Sequence, residues 1–116
     1  KVSTQADRMG YRLTGPPFHC HVEEEMLSGP VTKGTIQVPG PDEIIVLMAD
    51  RQTTGGYPRI AQVASVDLPV LAQLQPGDEL EFQEITWQEA QKEWLHSERM
   101  LSWLRQGIFS KGWLKY

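Results

Sequence analysis

The residues best suited to chemistry stand together in "DRQTTGGYP", Asp50 to Pro58, between two apolar runs. Arg51 offers five donors in a planar fork that matches a carboxylate or a phosphate. Gln52, Thr53, Thr54 and Tyr57 add neutral donors and acceptors. Gly55 and Gly56 permit positive φ and let a ligand approach the backbone. Such a set can bind a small anion or an amide. The same residues also suit a plain hairpin turn, with Asp50 and Arg51 as a surface ion pair worth under ~1 kcal/mol. Composition alone favours the turn, because glycine-rich turns are common. No Gly-Lys-Ser/Thr follows the glycines, so a P-loop is not supported.

Other reactive side chains are sparse. His19, Cys20 and His21 include good zinc ligands, but no second ligand cluster completes a tetrahedral set, so no metal is expected. Glu23 to Glu25 read as a solvated charge run. Cys20 has two histidine neighbours, yet adjacent side chains point apart, and no Ser-His-Asp set is recognisable. No catalytic residue is therefore assigned.

The elements that must carry the loop are mostly short strands. "YRLTG" (Tyr11–Gly15), "GTIQV" (Gly34–Val38), "EIIVLMA" (Glu43–Ala49), "RIAQVASV" (Arg59–Val66) and "ELEFQEI" (Glu79–Ile85) are the candidates. The third is apolar nearly throughout, which expects cover on both faces, whereas the last alternates. Turn chemistry at Gly15–Pro17, Val38–Asp42 and Pro76–Asp78 separates them, and the spacing suggests a barrel. Two helices interrupt the strands. Asp67 is expected to cap "LPVLAQLQ", with Pro69 tolerated in the first turn. A long helix begins at Thr86, whose capping box uses Glu89. Its stripe is Trp87, Ala90, Trp94, Ser97, Leu101 and Leu104, with Gly107 as the expected stop and Ile108 placed to touch Trp103. Leu95 and Trp103 fall off that stripe; they cover the tail or belong to a shared surface.

The chain of 116 residues suits one domain, and 40% apolar composition suits a globular one. Eleven basic residues against 15 acidic ones give a net charge of -4, which argues against nucleic acid. No apolar run reaches the ~18 residues of a membrane span. One cysteine allows no internal disulfide, and a reduced, cytoplasmic location is the natural inference. The chain starts at Lys1 and enters strand-like sequence at once, so a fragment of a longer protein is expected.

Four ordered blocks carry a family resemblance: "DRMGYRLTGP" (Asp7–Pro16), "EMLSGPVTKGTIQVPG" (Glu25–Gly40), "ADRQTTGGYPRIAQV" (Ala49–Val63) and "DLPVLAQLQPGD" (Asp67–Asp78). From about Asp7 to Ala90 the chain resembles the C-terminal half of the biotin-dependent carboxyltransferase family. That family includes allophanate hydrolase subunit 2 and the KipA-type component of 5-oxoprolinase. The segment "PFHCHVEE" (Pro17–Glu24) matches no family block and takes no role.

The resemblance implies a cyclophilin-like β-barrel, forming the C-terminal domain of a longer protein with two related barrels; the one short helix and the one long C-terminal helix that complete the fold rest on the capping and periodicity above. It implies a KipI-like (PxpB) subunit and a PxpA-like amidohydrolase subunit as partners, in a complex that opens 5-oxoproline to glutamate with ATP. ATP is used by the complex rather than assigned to this domain, and the fragment is not expected to act alone. A second reading is an interaction module that antagonises KipI, an inhibitor of a sporulation histidine kinase, through Leu95, Trp103 and Trp113. A third is a urea or allophanate carboxyltransferase domain, the only reading that brings in biotin. Prolyl isomerase activity rests on fold analogy alone.

Under the first reading, Arg8 and the Asp50–Pro58 loop line one side of a cleft for a small carboxylate or amide. Arg51 takes the carboxylate. Thr53, Thr54 and the backbone at Gly55-Gly56 hold a carbonyl or oxyanion, Tyr57 and Gln37 orient the ligand, and Gln52 belongs to the same binding loop. Asp50 serves the ligand or instead fixes Arg8 or Arg51.

Overall fold

The structure is a computed structural model that describes residues 1–16 and 29–110, with side chains described through residue 107 of the last helix. The expectations for His19–His21, Cys20, Glu23–Glu25, Ile108 and Trp113 lie outside these described features. The chain divides into two compact units, Lys1–Phe82 and Gln83–Tyr116.

The first unit is mainly β. Its strands are β1 (Gly10–Leu13), β2 (Gly29–Pro30), β3 (Thr35–Gly40), β4 (Glu43–Leu47), β5 (Thr54–Gly55) and β6 (Arg59–Gln62). Four of them form an antiparallel sheet in the order β1-β4-β3-β6, and β2 pairs with β5 in a separate ribbon. Pro41 and Asp42 form the two-residue turn between β3 and β4, since Gly40 stands opposite Glu43. Proline presets the φ that such a turn needs.

The run Glu43–Leu47 becomes β4, flanked by strands on both sides. Ile45 and Val46 point to opposite faces of the pleat, and both are buried. Both faces are covered, as the continuous apolar run leads one to expect. On one face Val46 packs with Val2, Leu13, Ile36, Met48 and Leu71 in the core. Burying a side chain of this size contributes about 1.5–3 kcal/mol. Thr35 and Gln37 sit on the other face of β3 and are the two buried polar residues among those described. Thr35 is satisfied there: its hydroxyl donates to Gln62 Oε1 at 3.0 Å and accepts from the Thr32 N–H at 3.2 Å.

Gly34 holds the start of β3 in place. Its φ of +89° suits glycine, and an added Cβ would lie 2.9 Å from Leu68 Cδ2. Its N–H donates to Leu47 O, and its carbonyl accepts from Val63 N–H, so this one residue joins the ends of β4 and β6.

Three local expectations are corrected. Glu79–Ile85 is not a strand. Leu80 packs on the core, but the Pro76–Asp78 turn engages Val2 through Gly77 N–H to Val2 O and Val2 N–H to Asp78 O. Alternation sets a buried face, whereas a strand also needs a hydrogen-bonding neighbour, and none of the described strands supplies one. Asp67 does not cap the short helix. A 3₁₀ turn at Ser65–Asp67 leads directly into α1 (Leu68–Ala72), and Asp67 already has helical backbone angles with no capping bond. A residue inside the helical path cannot fold its side chain back over the first turn. Pro69 lies in that first turn, as expected.

The second unit contains α2 (Trp87–Ser110). The capping box forms: Glu89 N–H donates to Thr86 Oγ1 at 3.2 Å, and Thr86 N–H donates to Glu89 Oε2 at 3.0 Å. The helix runs on past Gly107, which is the third correction. Glycine inside a helix costs about 1 kcal/mol relative to alanine, a penalty that the surrounding turns outweigh. The apolar stripe is largely exposed, with Trp87 at 70% and Leu104 at 60%; Leu95 and Trp103 are exposed too.

Candidate functional site

The segment from Met48 to Pro58 leaves β4 and enters β6. These strands lie on opposite sides of β3, so the segment is a bridge rather than a hairpin turn. The simple turn that composition favours is not what forms. An Asp50–Arg51 ion pair does not form either, because Asp50 turns to Arg8 instead, with Arg8 Nε 2.8 Å from Asp50 Oδ2. Asp50 N–H also donates to Arg8 O at 2.9 Å, which doubles the link. Both side chains are well exposed, so the ion pair positions the segment more than it stabilises the fold.

Arg51 follows and is half-buried. Its N–H closes a turn onto Met48 O at 3.2 Å, and its Nη1 reaches Ala49 O only at 3.5 Å. Its Nε is buried with no hydrogen-bond partner. A guanidinium held this way retains most of its donor fork for an incoming acceptor.

Beyond Arg51 the chain forms β5. Val31 N–H donates to Thr53 O at 3.1 Å, and Thr54 and Gly55 pair with Pro30 and Gly29. Gly55 sits directly on Gln37. A Cβ there would lie 2.5 Å from Gln37 Nε2 and 3.3 Å from Val31 Cγ1. The glycine is required for this close approach. Gln37 is 4% exposed, and no hydrogen bond to its side-chain amide occurs among the described residues. Among the described residues, Arg51 Nε is the buried side-chain donor left with polar capacity to spare in the bridging segment.

Gln52, Thr53, Thr54 and Gly56 are exposed, and Tyr57 is 52% exposed. The structure brings together Gln37 with Gly55, and Arg8 with Asp50. No hydrogen bond or ion pair links these two pairs among the described residues. Arg8 belongs to a different hollow of about 310 Å³, lined by Tyr11, Lys33, Met48 and Ala49 among others. The single wall expected from the sequence is therefore two neighbouring features, joined through the backbone at Asp50 and Arg51.

Residues 1–84 match the family described as carboxyltransferase domain, subdomain A and B. The chain belongs to that family. The matched span contains every candidate site residue and ends just ahead of α2 in the sequence. Within the carboxyltransferase-domain family, the chain is similar to the C subunit of 5-oxoprolinase from Haemophilus influenzae. The two are 41% identical over 110 residues, which cover 95% of this chain and 36% of that relative. It is also similar to the C subunit of 5-oxoprolinase from Escherichia coli, 44% identical over 92 residues, covering 79% of this chain and 30% of that relative. The chain spans about a third of the length of these relatives.

Arg59, which the sequence pattern places simply in a strand, anchors the site. Its Nη1 donates to Pro30 O at 2.9 Å, and the guanidinium lies 3.3 Å from where a Gly29 Cβ would be. The available signal is a Gly-Pro pair with no turn assigned to it and an arginine closing the polar segment. The pairing of β2 with β5 is not legible in the sequence, since two-residue strands carry no periodicity.

Proposed function

We propose that this chain is part of the KipA-like C subunit of an ATP-dependent 5-oxoprolinase, and that the bridge from β4 to β6 binds the substrate. The observation that carries the reading is Arg51, half-buried with Nε unpartnered, in the family signature of a chain similar to two 5-oxoprolinase C subunits. 5-Oxoproline presents a carboxylate and a lactam carbonyl, and the segment has a donor suited to each. Arg51 takes the carboxylate in a charge-assisted contact worth about 1.5–3 kcal/mol. The Gln37 amide, the Thr53 and Thr54 hydroxyls and backbone N–H groups at Gly55-Gly56 face the carbonyl as water adds to it. Tyr57 and Gln52 close the exposed side. Ring opening then breaks the C–N bond, and the nitrogen takes up protons to become the amine of glutamate.

ATP is consumed elsewhere in the assembly, with KipI-like (PxpB) and PxpA-like subunits as its other parts. The glycine pair here does not fit a phosphate cradle, because Gly55 is committed to the ribbon and no Lys-Ser/Thr follows. The urea or allophanate carboxyltransferase reading shares the family, and biotin enters only there; no residue of this chain is assigned to it. A second reading, a module that binds a KipI-like protein, draws on the exposure of Leu95 and Trp103. Titration of the full-length protein and its Leu95→Ala/Trp103→Ala variant with a KipI-like protein tests it, and equal affinities would remove it.

The main test reconstitutes the complex with the full-length protein. Arg51→Ala is expected to lower kcat/KM about 10- to 100-fold, mostly through KM, while Arg51→Lys recovers only part. Unchanged turnover of a normally folded Arg51→Ala, Tyr57→Phe double variant would sink the proposal.

A further inference from the structure

Helix α2 carries a seam of another kind. Trp87, Ala90, Trp94, Ser97, Leu101 and Leu104 follow one another at spacings of three, four, three, four and three residues. That is the a/d repeat of a two-stranded coiled coil, narrower than the stripe of an ordinary surface helix. Ile108 continues the spacing in the sequence. Trp87, Trp94, Leu101 and Leu104 are all exposed. We propose that this seam pairs two copies of the chain through α2, with the helices antiparallel.

The order of side-chain sizes selects both the partner and its direction. A parallel pair would stack each layer on its own kind: Trp94 on Trp94, then Ser97 on Ser97, crowding one layer and hollowing the next. An antiparallel pair centred between Leu95 and His96 faces Trp94 with Ser97, Ala90 with Leu101 and Trp87 with Leu104. Each of the first two layers then sets a large side chain against a small one, which is how cores fill without voids or strain. A second copy supplies this complement in the same register.

Charge points the same way. About that centre the first half of α2 holds Glu89 and Glu93 against Lys92, a net negative charge, and the second half holds Arg99 and Arg105 against Glu98, a net positive one. Antiparallel helices lay the acidic half of each copy along the basic half of the other, and their dipoles also oppose. The exposed area of the two tryptophans and two leucines, doubled across the pair, is on the order of 1,000 Å², the lower edge for a specific interface.

Sedimentation of the full chain across micromolar concentrations is expected to show a monomer–dimer equilibrium. Leu101→Glu should weaken it at least about tenfold while helicity is kept, because each dimer would bury two charges. Direction is read separately in a Cys20→Ser background. Ala90→Cys mixed with Leu101→Cys should yield a disulfide-linked heterodimer, while neither variant alone cross-links to itself. A monomer at every concentration overturns the proposal, including one whose thermal midpoint falls with Leu101→Glu because the seam is covered within its own chain. A dimer insensitive to Leu101→Glu, or a 90-to-90 cross-link, overturns it equally.

Discussion

The segment between β4 and β6 begins with an arginine that the fold leaves partly unbonded and ends with one that it ties down. Arg51 has a buried Nε without a partner, whereas Arg59 donates to Pro30 O and packs against Gly29. The two residues have the same side chain and lie eight positions apart in sequence. Their difference lies in what surrounds them. Arg59 meets a backbone carbonyl freed by the short β2 ribbon, and Arg51 meets only a distant carbonyl of its own turn. One cation ties the segment to the β2 ribbon; the other, under the proposed function, is kept for a ligand.

The strongest way to break that contrast is to exchange the losses. Arg51→Ala should cost the reconstituted complex about 10- to 100-fold in kcat/KM yet shift denaturant stability by no more than ~0.5 kcal/mol, since it removes an unsatisfied group. A large stability loss would make Arg51 a structural residue like Arg59. Next in size is Gly55→Ala. The new Cβ must displace the buried Gln37 amide and crowd Val31, at a cost of about 1–3 kcal/mol by chemical denaturation. A neutral result would show that Gln37 has room to move, and its amide would then lose its assigned place under the loop. Arg59→Ala is expected to cost about 1 kcal/mol, with turnover following the folded fraction and KM unchanged. A raised KM at full folding would place Arg59 in the binding machinery as well. Smallest is Thr86→Ala, in the other compact unit. It should lower stability by ~0.5–1 kcal/mol through the lost cap, read as weaker helicity in circular dichroism, without touching turnover.

What the sequence makes legible follows the range of each interaction. The capping box at Thr86 and Glu89 is readable because both partners lie within one turn. β4 is readable because a continuous apolar run needs cover on two faces, and Ile45 and Val46, on opposite faces, are both buried. The polar segment is recognisable as unusual, but its bridging path depends on β3 lying between β4 and β6, a long-range fact that local composition does not carry. An Arg8–Asp50 pair is one of the alternatives the sequence allows, while the close contact of Gln37 beneath Gly55 has no local signal. The run Glu79–Ile85 misleads because alternation is a local signal: no described strand pairs with it, and Phe82 and Ile85 stay exposed, leaving Leu80 alone packed on the core. In α2 the periodic stripe is plain in the sequence, yet the same apolar signal that fills the core at Val46 remains at the surface at Trp87.

The bridge over β3 also bears on the order of folding. β3 and β4 are joined by a two-residue turn and can zip together early, whereas Thr35 must wait for Gln62, far along the chain, before β6 docks. Gly55 reaches Gln37 only when both strands are in register. Under the proposed function, the substrate-binding segment is then expected to be among the last things the chain makes. A nascent or partly unfolded chain would then offer no half-built pocket, and ligand capture would report that the sheet is complete.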